Sequence, residues 1–96
     1  MQPLVDDRAP LFELGQIVIT DNALQALSSA AVMESIDRHA AGDWGELPPE
    51  DSRANERALE GGGRLFSAYD LAEGTRVWII TEADRSVTTI LLPEDY

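Results

Sequence analysis

The 96-residue sequence has no cysteine, no lysine and one histidine, His39; its seven basic residues are all arginine and face 18 acidic ones. Without cysteine there is no disulfide framework, thiolate nucleophile or cysteine zinc site, and one histidine cannot build a clustered histidine site. The acidic pairs Glu50 and Asp51, or Asp84 and Asp95, lack calcium-loop spacing, so neither a metal nor a cofactor is expected. No apolar run of about 18 residues is present to span a bilayer, and the first residues lack the basic and apolar segments of a signal peptide. A cytoplasmic protein without membrane contact is the resulting expectation. A formal charge of −11 with no basic patch repels phosphate backbones, so direct DNA binding is not expected, whereas a basic protein partner is attracted.

What is present reads as one small domain with a two-layer core. Pro3, Asp6, Asp7, Arg8 and Pro10 mark residues 1–10 as a polar, flexible arm, leaving 11–96 as the folded domain. Gln16 to Thr20 reads as a short strand. Thr20 or Asp21 caps a first helix that turns Ala23, Leu24 and Leu27 to the core and ends near Ser28 or Ser29. Those serines open a second helix, in which Val32, Ile36, His39 and Ala40 form one stripe and Gly42 supplies the stop. His39 therefore points to the core or its edge. Trp44, between Gly42 and Gly45, reads either as a plug between helix and sheet or as a surface anchor. Pro48 and Pro49 followed by Glu50 and Asp51 start a third helix, with Arg53 and Arg57 sharing one face and Ala54, Ala58 and Leu59 forming an apolar stripe. Gly61, Gly62 and Gly63 end it; with no preceding strand and no following lysine they are not a phosphate loop.

The last third alternates. Arg64 to Leu71, Arg76 to Thr81 and Val87 to Leu92 read as three strands whose short connections specify an antiparallel meander. In the middle run Val77, Ile79 and Thr81 oppose Arg76, Trp78 and Ile80; in the last, Val87, Thr89 and Leu91 oppose Thr88, Ile90 and Leu92. Either set can face the helices, because both are partly apolar. The fold class is α+β: three short N-terminal helices packed on a C-terminal antiparallel sheet of three strands, or four if the N-terminal strand joins. A sheet apolar on both sides either takes the N-terminal segment over its second face or uses that face to form a homodimer. Pro93 closes the final edge, and Glu94, Asp95 and Tyr96 follow as an acidic tail suited to a basic groove.

Gly42 to Gly45 (GDWG), Asn55, Arg64 to Tyr69 (RLFSAY) and Val77 to Tyr96 together resemble a widespread family of small bacterial proteins described as plasmid-related. The resemblance implies an association with mobile genetic elements and no defined chemistry. In that setting the favoured reading is a protein-interaction module that binds a basic host or element protein. Trp44 or the outer sheet face would anchor it, Arg53 and Arg57 would stand at its rim, and the tail of Asp95 and Tyr96 is the other contact candidate. A second resemblance, of the C-terminal hairpin to the sheet of small bacterial ribonucleases of the barnase and RelE-toxin type, implies metal-independent RNA cleavage. Carried over by hairpin position, Arg76, Thr81, Arg85 and Thr89 would hold phosphate and His39 would transfer the proton.

Overall fold

A computed structural model describes residues 10–96, so the expected arm over 1–10 lies, apart from Pro10, outside the described residues. The elements run β1 (Gln16–Ile19), α1 (Asp21–Ala26), α2 (Ser29–Ala40), α3 (Pro49–Gly61), β2 (Leu65–Asp70), β3 (Arg76–Thr81) and β4 (Val87–Leu91), with single 3-10 turns at Ala72–Gly74 and Pro93–Asp95. Three short helices pack against a four-stranded sheet of order β1-β4-β3-β2. The α+β architecture is as the alternation and helical spacing indicate. The N-terminal strand does join, but it lies parallel to β4, which makes the sheet mixed rather than wholly antiparallel. Its parallel direction goes with a long connection: three helices and two strands separate β1 from its neighbour β4.

Local chemistry accounts for the helix boundaries. The hydroxyl of Thr20 accepts from the Ala23 amide at 3.2 Å and that of Ser28 from the Ala31 amide at 3.1 Å, so both helices begin on a side-chain cap. The third helix has Pro49 at its first position, with Glu50 and Asp51 placed favourably at the positive end of the helix dipole. Gly62, at φ 84°, terminates it.

One face of the sheet receives all three helices. Ala23 and Ile36 pack there on Tyr69, Val77, Ile79, Ile90 and Leu92, while Trp44 and Ala58 pack on Leu65. Val77, Ile79 and Thr81 are therefore the inward set of β3, and Thr88, Ile90 and Leu92 that of the last strand. Two expected apolar stripes hold only in part. On α1, Ala23 is buried and Leu27 packs against the core while Leu24 is exposed; on α3, Ala58 is buried and Leu59 packs against the core, but Asn55 takes the other inward position and Ala54 lies outside.

Asn55 is inward because it closes the edge of the sheet. Its Nδ2 donates to the Phe66 carbonyl at 2.8 Å, and its Oδ1 accepts from the Phe66 amide at 3.1 Å. Two residues along β2, the Ala68 amide donates to the Trp44 carbonyl and its carbonyl accepts from the Glu46 amide. That contact needs glycine at position 45, where φ is 77° and an added Cβ would stand 2.1 Å from the Ala68 oxygen. The edge of β2 is thus sealed at alternate residues.

Candidate functional site

Two places in the fold gather the chemistry-bearing side chains, one under the helices and one on the opposite face of the sheet. Under the helices, His39 is fully buried between α2 and the sheet. Its Nδ1 lies 2.6 Å from the Ser67 hydroxyl and its Nε2 2.9 Å from that of Thr81; Thr81 and Thr88 are 2.7 Å apart, and the Thr88 hydroxyl donates to the Leu14 carbonyl at 2.7 Å. The terminal carbonyl accepts only, which fixes the protons from Thr88 back to the imidazole Nε2, and a neutral ring then leaves Nδ1 to accept. Thr88 spends its proton on Leu14, so Thr81 donates to Thr88, His39 donates from Nε2 to Thr81, and Ser67 donates to Nδ1. The ring is neutral in this arrangement, and burial lowers its pKa from 6.5 to about 4.

A serine hydroxyl beside an imidazole that is oriented by a third group has the outline of an activated nucleophile. Here Ser67, His39 and Thr81 are all 0 % exposed, so no reacting bond reaches them. The chain works instead as a bracket that ties α2 to β2, β3, β4 and the segment before β1. Phe12 and Trp44 close it edge-on, with ring centroids 5.2 and 5.8 Å from the imidazole.

The residues of the ribonuclease reading are not brought together. His39 and Thr81 meet inside, while Arg76 and Thr89 lie on the other face of the sheet, with Arg76 paired through two bonds to Asp70 at 2.7 and 3.0 Å. Arg85 is committed to the backbone: it donates to the carbonyls of Ala58, Gly63, Glu82 and Ala83. It thereby caps the end of α3 and braces the β3–β4 turn, from a left-handed φ of 61°. Trp44 is also corrected as a surface anchor. It is only 6 % exposed, stacks on Phe12, and donates from Nε1 to Glu56 at 2.8 Å. The plug reading of Trp44 matches this position.

The remaining interaction candidates separate as well. Arg53 and Arg57 are exposed on α3 and make no ion pair among the described residues. Asp95 is used within the fold, accepting from Thr20 Oγ1 at 2.6 Å, Asn22 Nδ2 at 2.7 Å and the Leu92 amide at 3.0 Å. These donors hold its carboxyl below the usual range, Thr20 foremost. The clasp fastens the end of the chain to the cap of α1 and leaves Tyr96 free to fold back over β3.

That return builds the second place. Phe66, Trp78 and Tyr96 meet edge to face, with centroids 5.1 Å apart between Phe66 and Trp78 and 5.7 Å between Trp78 and Tyr96. With Arg64 and Ile80 they line a cavity of about 270 Å³ on the face that no described helix covers. Arg64 pairs with Glu82 at 3.3 Å and donates to the Tyr96 hydroxyl at 3.3 Å, fixing one wall. The Trp78 Nε1 is buried and has no hydrogen-bond partner among the described residues. Of this cavity only Tyr96 stood among the residues singled out from the sequence. The available signal was parity: Arg64 and Phe66, like Trp78 and Ile80, sit at i and i+2 on the face opposite the buried polar residues.

No group of three histidine, cysteine, aspartate or glutamate side chains suited to a metal occurs among the described residues, and no described helix is long and apolar enough to cross a membrane. Compared with known proteins, the chain matches no family, no curated protein and no solved structure.

Proposed function

We propose that this chain is a protein-interaction module whose partner is a basic protein, host or mobile-element encoded, received on the outer face of the sheet. The observation that carries the reading is the aromatic cavity of Phe66, Trp78 and Tyr96 on the helix-free face. Its size suits one large apolar or aromatic side chain, the kind of anchor that dominates interface energetics. Charge supports the sign of the partner. Among the described arginines, Arg38, Arg64 and Arg76 are paired with Asp43, Glu82 and Asp70, and Arg85 is bound to carbonyls. Three of the six described arginines are thus neutralised in place, and the excess of carboxylates over arginines sets the long-range field and steers cations inward.

The test is capture of a partner from lysate with purified protein, repeated with Tyr96→Ala and Arg64→Ala, and cross-linking to locate the contact. Expected are salt-sensitive capture by the wild type, cross-links to the outer face, and at least tenfold weaker binding by folded Tyr96→Ala. Undiminished binding by both variants, or self-association of the wild type through this face with no other partner, overturns the reading.

A further inference from the structure

The two edges of the sheet are finished differently. The β2 edge is closed by Asn55 at Phe66 and by Trp44 and Glu46 at Ala68. The β1 edge has no such cover among the described residues. Gln16 and Thr20 donate their amides to the Ser86 and Ile90 carbonyls of the β4 side, in parallel register. Backbone groups alternate in direction along a strand, so Ile17 and Ile19 turn theirs away from β4. β1 ends the strand order and pairs with β4 alone among the described strands. Ile17 is itself 45 % exposed and lines, with Leu11, Phe12 and Leu14, an open groove of about 820 Å³ beside this edge.

The charge around that edge has one sign. From residue 9 to residue 37 the sequence holds Glu13, Asp21, Glu34 and Asp37 and no arginine or lysine. Glu13 and Asp21 are exposed, stand just before and just after β1, and make no ion pair among the described residues. A second copy is poorly matched to this edge. Antiparallel pairing of two β1 strands would bring the Glu13 end of each copy to the Asp21 end of the other, with no cation between them.

We propose that β1 is a docking edge at which an extended, lysine- or arginine-rich segment of the partner adds as a fifth strand. Its backbone bonds the outward groups of Ile17 and Ile19, an apolar side chain lies in the Leu11 to Ile17 groove, and its cations meet Glu13 and Asp21. This rests on the reading of the partner as a basic protein and adds the mode by which it is held.

The experiment titrates ¹⁵N-labelled protein with a short synthetic peptide of alternating lysine and valine, and with its glutamate and valine counterpart, while amide hydrogen exchange is followed. At saturation with the lysine peptide, exchange at Ile17 and Ile19 is expected to slow at least tenfold, with Val18, already turned to β4, little changed. Ile17→Pro removes an outward N–H and should abolish binding; should it fail to fold, Glu13→Lys with Asp21→Lys, both at exposed positions, should weaken binding several-fold. Equal binding of the glutamate peptide, or no binding of either, overturns the proposal. Slowed exchange that grows with protein concentration without peptide also overturns it, in favour of a second copy. Protection confined to Phe66, Trp78 and Tyr96 overturns the edge while leaving the outer-face reading intact, and loss of partner binding in Tyr96→Ala tests that reading separately.

Discussion

The two faces of this sheet carry similar numbers of apolar side chains but treat their polar atoms in opposite ways. Under the helices, the hydrogen-bond run from Ser67 through His39, Thr81 and Thr88 to the Leu14 carbonyl closes without a gap. On the outer face, Trp78 buries an N–H that has no partner among the described residues, and its ring takes part in a cavity lined by Phe66 and Tyr96. A closed network in a low-dielectric interior is rigid and inaccessible, so its chemistry is structural even where its atoms resemble a catalytic dyad. The unfinished face is where a ligand has something to gain. Residue type alone points the wrong way, because the one histidine sits in the sealed place.

The strongest way to break the contrast is at the centre of the closed network. His39→Leu leaves the Ser67 hydroxyl without its acceptor and Thr81 without its donor, and should cost about 3 to 4 kcal/mol in urea unfolding. A loss under 1 kcal/mol would mean the bracket is not what ties α2 to the sheet.

Acid should act on the same bond. The ring has a pKa of about 4 in the fold against 6.5 ordinarily, so the unfolded chain binds the proton more tightly. The stability that depends on the neutral ring is complete above pH 6.5 and falls as the pH drops from there towards 4, by about 3 kcal/mol. Imidazole nitrogen shifts should show the Nε2–H tautomer, still neutral at pH 5; a ring already charged at pH 6 would contradict the network.

Arg85 sharpens the comparison from the turn that joins β3 to β4. Its Ala variant gives up charge-assisted bonds to four carbonyls and should lose about 2 kcal/mol, with amide exchange rising first at the end of α3. Loss of stability without local change at α3 would argue against the cap. The smallest effect is expected on the outer face. Trp78→Phe removes an unpaired donor along with some packing, and stability should stay within about 1 kcal/mol of wild type, while binding through the cavity weakens.

The sequence carried the helix starts and the strand alternation because both depend on neighbours a few residues away. Thr20 and Ser28 cap helices by local bonds, and Val77, Ile79 and Thr81 share a face by the two-residue repeat of a strand. Thr81 and Thr88 were visible at apolar parity, but that their set faces inward was not, nor was Ser67 as the partner of His39. Ala54 and Leu24 were misread for one reason: each apolar stripe was drawn from helical spacing alone, and the sheet edge, which takes Asn55, and the short α1 decided which side chains turn inward.

Thus composition and local spacing determined that this is an acidic α+β domain without thiol or clustered-histidine chemistry, with three short helices ahead of alternating strands. Tertiary structure decided the rest. It set β1 parallel beside β4, sealed one edge with a side chain from α3, enclosed His39 among hydroxyls, committed Arg85 to carbonyls, and folded Tyr96 onto Trp78. Each joins residues separated by 11 or more positions or by a turn of the chain, and such contacts depend on which surfaces pack together, which no local repeat specifies.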